Sequence, residues 1–419
     1  MRQSIQRQKL EKERVAGSDL VKRDVAENIE SYLRHDIIKI VTGIRRSGKS
    51  IFCFMVLDDV DFGYVNFDEK EIAKLDNYDE ILRYVQEFYG DVEYLFLDEI
   101  QNLNNWELWV NSLHRRGYNL LITGSNAKLL SRELATHLTG RHISVELFPF
   151  SFKEYLDAVG FDIKDEYIEE EIGIILNYLK RYMEIGGFPE VVVKGYDHKY
   201  LQTLFDSIIL KDVVQRHNVR YADDLYSLAK FLMSSFSNEI SYTKLKNTLN
   251  FRSVNTVQSY VRYLEDTYLI FHLDMFSFKQ REQIKSPKKM YVIDTGMANA
   301  VSFKFSEDIG NMMENTVAVE LLRQKSNSIS RIEVYYWKDT QHREIDFVIK
   351  EGPDISQLIQ VCYNINDLKT RERELRSLVG AAKELNCNNL LVITWDYDNT
   401  EEYNGNSIRY VPLWKWLQK

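Results

Sequence analysis

Apolar residues in the first third of the chain gather into short runs bounded by polar ones. Ile37-Ile38-Lys39-Ile40-Val41, Tyr64-Val65-Asn66-Phe67, Tyr94-Leu95-Phe96-Leu97, Asn119 to Thr123 and His142 to Leu147 each read as a buried strand. Helical spacing fills the gaps. Ile51 to Leu57 is one such stretch. Tyr78 to Tyr89 (Ile81, Leu82, Val85, Phe88) and Asn102 to Arg116 (Leu103, Trp106, Val110, Leu113) are two more. Strands alternating with helices predict an α/β fold.

The pattern changes after residue 150. Residues 152 to 236 carry helical spacing almost throughout, broken at Glu184-Ile185-Gly186-Gly187-Phe188-Pro189-Glu190. The Gly-Gly is either a helix stop or a hinge. Residues 237 to 278 read as helix (Thr243 to Leu249), turn (Asn250 to Ser253), helix (Asn255 to Leu264) and strand (Leu269 to Leu273), a winged-helix pattern. Residues 288 to 419 read as a further α/β unit. Its strands are Lys289 to Ile293, Ile332 to Trp337, Ile345 to Lys350, Gln357 to Val361 and Leu390 to Thr394, and its helices Asn311 to Arg323 and Leu368 to Leu385.

Composition narrows the class. The 419 residues are 44% hydrophobic and 28% charged, without an apolar run of the ~20 residues a membrane helix needs. The N-terminus MRQSIQRQKLEKERV lacks the apolar stretch of a signal peptide, and three widely spaced cysteines (Cys53, Cys362, Cys387) suggest neither a disulfide framework nor a zinc site. A cytoplasmic location is the expectation. The net charge of −9 argues against wholesale coating of nucleic acid. Residues 241 to 290 are the exception, with nine Lys/Arg against four Asp/Glu. A basic helix-turn-helix in an acidic chain suggests a DNA contact. The competing reading is a packing or protein-interaction module, with Lys279, Arg281, Lys285, Lys288 and Lys289 on a solvated loop.

The first apolar run leads straight into Gly43-Ile44-Arg45-Arg46-Ser47-Gly48-Lys49-Ser50, and a helical run from Ile51 follows. Strand, glycine-bounded loop and helix form the context a phosphate-binding G-x-x-x-x-G-K-[ST] loop requires. Gly43 and Gly48 let backbone N–H groups converge on phosphate oxygens. The helix start adds free N–H groups and the positive end of its dipole. Lys49 supplies charge to the β- and γ-phosphates, and the Ser50 hydroxyl is a Mg²⁺ ligand. ATP and Mg²⁺ are therefore the expected cofactors. Residues 1 to 36, charged and helical, are candidates to cover the base.

The run Val92 to Leu97 ends in Asp98-Glu99, the expected second half of such a site. Asp98 would hold the Mg²⁺ shell and Glu99 would polarise the attacking water. After the strand Asn119 to Thr123, Ser125 or Asn126 is the candidate γ-phosphate sensor; a helix N-cap for Ala127 to Leu134 is the alternative. Arg141, after a glycine and before a strand, is a candidate to neutralise transition-state charge in cis or from a neighbouring subunit, with Arg132 second.

The order GIRRSGKS, YLFLDEIQN, LLITGSNAKLLSRE, LTGR and LFPFSFKEYL resembles the prokaryotic AAA-superfamily ATPases that carry a C-terminal domain of unknown function. EIGGFPEVV, DSIILKDVVQR, KMYVIDTG, EIDFVI and LIQVCYN extend the resemblance over nearly all of the chain after residue 20. It implies ATP binding and hydrolysis and names no substrate. Glu314 on a helix, Asp346 on a hairpin strand and Gln360-Val361-Cys362 on the next resemble the PD-(D/E)XK nuclease fold. There Gln360 stands in place of the second acid and Cys362 in place of the lysine, so cutting is expected to be lost.

The expected architecture is α/β: an AAA-type P-loop NTPase domain (1–150), a helical lid (151–236), a winged helix (237–287) and a nuclease-like domain (288–419). The expected activity is MgATP hydrolysis that drives or regulates a conformational change, acting on DNA, a partner protein or a second copy of the chain. The alternative is an ATP-regulated DNA-binding protein or nuclease.

Overall fold

The computed structural model describes residues 1–15, 20–73, 78–125, 140–302, 308–327 and 332–418. They fall into two compact units: Met1–Pro149 with Asp266–Tyr268, and Phe150–Glu265 with Leu269–Lys419. The lid, winged-helix and C-terminal segments read separately above thus lie in one unit.

The first unit is built on five parallel strands: β1 (Ile38–Thr42), β2 (Phe62–Asn66), β3 (Tyr94–Asp98), β4 (Asn119–Gly124) and β5 (His142–Glu146). Their order is β2-β3-β4-β1-β5. Helices α1 (Arg2–Val15), α2 (Lys49–Val56), α3 (Asp79–Tyr89) and α4 (Trp106–Arg115) are the longest described here. Both faces are buried, which is why the strands are continuously apolar instead of alternating. Successive residues still separate to opposite sides. Ile38, Ile40, Leu95, Leu97, Leu120 and Ile122 join the core under α3 and α4. Val41, Phe96 and Leu121 face α2 through Phe52, Cys53 and Val56.

The N-terminal segment does two things. The Gln8 side chain pairs with both the N–H and the carbonyl of Asn66 at 3.0 Å, and Lys12 Nζ donates to the Phe62 carbonyl at 2.8 Å. Helix α1 thereby lies along the β2 edge, with β3 and β4 between it and β1, and blocks pairing there. Further along the segment, Val25 and Ile29 pack with α2.

The second unit begins with α5 (Phe152–Ala158), started by a reciprocal Ser151/Glu154 cap, and α6 (Glu169–Ile185). The Gly-Gly break then acts as a stop. Gly186 has φ +78°, and a Cβ there would lie 2.1 Å from Asp294 Oδ1. The Gly187 N–H donates to Asp294 Oδ2 at 2.7 Å and its carbonyl accepts from Phe150 N at 2.7 Å. Glycines here permit close packing on a buried carboxylate, and the GGFP and VIDTG stretches are two sides of that contact.

Helices α7 (His198–Ser207), which continues as a π-helical Ile208–Gln215, α8 (Ala222–Ser234), α9 (Tyr242–Thr248) and α10 (Val254–Asp266) follow. Strands β6 (Asn238–Ile240), β7 (Ile270–Asp274) and β8 (Lys288–Val292) make a small antiparallel sheet in the order β6-β8-β7. The strand read at Lys289 is β8, so it belongs to this sheet and not to the larger one.

The larger sheet has six strands, β9 (Ile332–Lys338), β10 (Glu344–Glu351), β11 (Asp354–Cys362), β12 (Leu390–Thr394), β13 (Asn399–Tyr403) and β14 (Asn406–Pro412), ordered β13-β14-β12-β11-β10-β9. Strands β9, β10 and β11 are antiparallel; β11, β12 and β14 are parallel. Helix α11 (Ile309–Asn327) packs Met313, Val317 and Leu321 with Phe347, Ile359 and Ile393. Helix α12 (Leu368–Leu385) packs Leu375, Leu378 and Ala382 with Val348, Leu358 and Val392 in a separate core. No described helix is long and apolar enough to cross a membrane.

Candidate nucleotide site

The loop between β1 and α2 turns because two glycines allow it. Gly43 has φ +145° and Gly48 φ +92°, and a Cβ on Gly43 would lie 2.1 Å from the Leu147 carbonyl oxygen. Gly43→Ala is therefore expected to lower the Tm markedly, whereas Gly140→Ala, whose Cβ meets nothing within 4 Å, is expected to cost less. Thermal unfolding of the two variants checks this.

Lys49 opens α2 and is 4% exposed. Its Nζ donates to the Gly43 and Ile44 carbonyls, each at 3.2 Å, and lies 3.7 Å from Glu99 Oε1. The Ser50 hydroxyl donates to Asp98 Oδ2 at 2.7 Å. Strand β4 runs between β1 and β3 and carries Thr123, whose hydroxyl donates to Asp98 Oδ1. Tyr64 Oη at 3.1 Å and Asn66 Nδ2 at 3.3 Å complete the ring around Asp98 Oδ2. Burial, then the charge of Glu99, raises the Asp98 carboxyl to about 6, against the opposing pull of Thr123, Ser50 and Lys49.

Glu99 sits in the left-handed region, φ 54° and ψ 44°, with its N–H on Thr123 Oγ1 at 2.9 Å. That turn separates it from Asp98, so adjacent carboxylates face different partners. Gln101 Nε2 donates to Glu99 Oε2 and reaches Ser125 Oγ at 3.3 Å. The buried Ser125 thus joins the site through an amide that sequence reasoning passed over. Arg23 is the second residue missed: its guanidinium donates to the Ser47 carbonyl at 3.0 Å and the Phe148 carbonyl at 2.6 Å. Nothing in its local sequence separates it from the other charges of residues 1 to 36.

Of the remaining expected residues, Arg45 and Arg46 lie in the loop with Arg46 at φ 69°, and Ile51 faces outward on α2. Asn126 and Arg132, and the helix read over Ala127 to Leu134, lie outside the described residues. Arg141 is not brought to the site. Its carbonyl accepts from Ile38 N at 3.0 Å, at the start of β1, and His142 pairs with Ile38. Because β5 is parallel to β1, Arg141 sits at the opposite end of the strands from the phosphate loop, about 13 Å of strand away.

The residues fit a nucleotide. The loop has the positive-φ glycines of an amide-lined cradle, beside one buried ammonium. Ser50 and Asp98 form a pair of hard oxygen donors suited to Mg²⁺.

The second unit holds another charged cluster. Lys289 Nζ lies 2.8 Å from Glu314 Oε1, 2.6 Å from Glu344 Oε1 and 3.0 Å from Asp346 Oδ1, and the residue is 3% exposed. Tyr291 Oη donates to Glu314 at 2.7 Å. Glu314 and Asp346 are thus brought together as expected, but around an ammonium. Gln360 accepts from Asp346 N at 3.3 Å and donates to Glu374 at 2.8 Å. Cys362 is buried among Trp337, Leu375 and Leu378, and burial pushes its thiol up to about 11. Lys289, read as part of a basic loop, is the central cation.

The sheet order, the loop and the paired acids define an AAA-type P-loop ATPase domain, and the comparisons agree. A family model described as an AAA domain matches residues 35–156, and two described as domains of unknown function, DUF8612 and DUF4143, match 176–308 and 309–416. An uncharacterized protein of Methanocaldococcus jannaschii, MJ1544, is 35% identical over 94% of this chain and 90% of its own. An uncharacterized protein of Haemophilus influenzae is 29% identical over 90% and 94%. The chain belongs to this family, in which an AAA domain precedes C-terminal domains of unknown function. Among solved structures, the Walker-type ATPase Paby2304 of Pyrococcus abyssi is similar at 16% identity and TM-score 0.44, covering 68% of this chain and 96% of that one. AMPPCP-bound DnaA of Aquifex aeolicus is similar at 14% and 0.27, covering 58% and 86%.

Proposed function

We propose that the chain hydrolyses MgATP and uses the cycle to change the conformation of its C-terminal unit. One observation carries the reading: Lys49, Ser50, Asp98 and Glu99 converge at the C-terminal ends of β1 and β3. In open α/β sheets that is where ligands bind. The loop amides and Lys49 would hold the phosphates, with Mg²⁺ shared by Ser50 and Asp98. The bound metal would supply charge neutralisation on the phosphoryl oxygens. Glu99 would accept a proton from the attacking water once freed from Gln101 and Lys49. Ser125 is the sensor candidate that this geometry supports. Arg141, at the far end of β5, would serve such a site only from a second copy. The test is ATPase activity of the site variants argued in the Discussion.

A second reading concerns residues 237 to 292. Helices α9 and α10 with the β6-β8-β7 sheet support a winged helix. Asn255, Gln258 and Arg262 are exposed on α10 at positions i, i+3 and i+7, hence on one face. Amide and guanidinium side chains are those that read base edges in a major groove. We take duplex DNA as the partner of this face. Arg262→Ala is expected to weaken duplex binding and to reduce the salt slope of log K by about one if it meets a phosphate. A gel-shift titration against salt with no shift even at low salt would leave a protein partner only.

The nuclease alternative gains nothing from this geometry. A divalent metal would need the space Lys289 Nζ fills between Glu314 and Asp346. We read the cluster as an internal ion network on a nuclease-like sheet.

A further inference from the structure

The C-terminal part of the second unit contains a cleft of about 740 Å³ that no role above uses. It lies where α12, the β9–β10 turn and the β13–β14 hairpin meet. Its lining includes Arg343, Arg376, Lys383, Asn386, Asn388 and Asn406. Among the described residues no carboxylate lines it, although the chain carries 63 Asp/Glu against 54 Lys/Arg. A polyanion finds cations and amide donors here.

Local structure accounts for some of these residues. Asn386 and Asn404 have φ of 52° and 53°, at a helix end and a hairpin tip, where asparagine is favoured for its backbone. Arg343 Nε donates to Asp339 Oδ2 at 2.6 Å, and Asp339 is itself held by the N–H groups of Gln341 and Arg343 at 2.8 Å. That grip aims the other end of the guanidinium across α12. Gly380 makes room for it, since a Cβ there would lie 3.0 Å from Arg343 Nη1. The Arg376–Glu372 pair is exposed on both sides and holds its arginine weakly. Arg376 and Lys383 are two turns apart on α12, about 10 Å along its axis. A ligand engaging both carries more than one phosphate.

We propose that this cleft binds an oligophosphate ligand, either a nucleic-acid strand or a small free oligophosphate. The test uses the full-length protein with two probes, inorganic tripolyphosphate and a fluorescent single-stranded oligonucleotide. Each is titrated against wild type, Lys49→Ala and the doubly reversed R376E/K383E, with Lys383→Gln as the mild variant. The expected result is that at least one probe loses about tenfold or more in affinity in R376E/K383E, with a smaller loss in Lys383→Gln. That probe is expected to keep its cleft affinity in Lys49→Ala, which reports on the phosphate loop alone. Loss confined to tripolyphosphate assigns a free oligophosphate; loss of oligonucleotide binding assigns a strand. Full affinity for both probes in R376E/K383E overturns the proposal, as does binding that Lys49→Ala alone removes. Neither result bears on ATP hydrolysis, so the two readings fail separately.

Discussion

Lys49→Ala is expected to abolish ATP binding, and Glu99→Gln to bind ATP normally while turnover falls by about a hundredfold or more. The two variants separate two roles that share one site. Lys49 is the only side-chain cation within the described residues of the loop that is buried at the root of α2, where its Nζ spans the Gly43 and Ile44 carbonyls. Without it, phosphate charge would enter a loop of amides alone. Glu99→Gln conserves shape while removing the proton acceptor and the charge that faces Lys49. Its neighbours Lys49 and Gln101 both remain, so the cradle keeps its form. Equilibrium titration with a fluorescent ATP analogue reads the first effect, and phosphate release under saturating ATP the second. Wild-type hydrolysis in both variants would remove the ATPase reading.

The phosphate loop and acidic strand were legible in the sequence because their chemistry dictates local geometry. A glycine that must hold φ near +145°, a lysine at a helix start and two acids at a strand end each carry a local pattern of their own, although Ser50 and Asp98 are 48 residues apart. Arg141 shows where such reasoning stops. Its glycine and its strand were legible, but which end of β5 meets the phosphates depends on parallel pairing with β1. Strands β13 and β14 were missed for another reason. Asn399–Tyr403 reads Asn-Thr-Glu-Glu-Tyr, an edge strand with no apolar face to mark it. Lys289 was misplaced because its partners lie 25 to 57 residues downstream. Charge counting treats every lysine of a basic stretch alike, and burial does not.

Lys289→Met is expected to destabilise the second unit by about 3–5 kcal/mol, because it leaves buried carboxylates without their cation. The Lys289 ammonium faces Glu314, Glu344 and Asp346, and Lys338 reaches Glu344 from the other side at 3.5 Å. Burial acts to lower the Lys289 pKa, but Tyr291 and the three carboxylates overcome it and leave it well above the usual value. Burial raises Glu314 from 4.5 to about 8; Lys289 opposes that shift and Asp346 adds to it. The folded-state pKa of Glu314 therefore exceeds the unfolded one. Its contribution to stability is fully present below about 4.5 and is lost as pH rises toward 8. Denaturant unfolding between pH 5 and 8 should show that slope in the wild-type protein and lose it in Glu314→Gln. In Lys289→Met the loss of stability should shrink on acidification, as protonation removes the unpaired charges. A Lys289→Met protein as stable as wild type across this range would mean that the carboxylates find other partners, and the space would then be open to a metal after all.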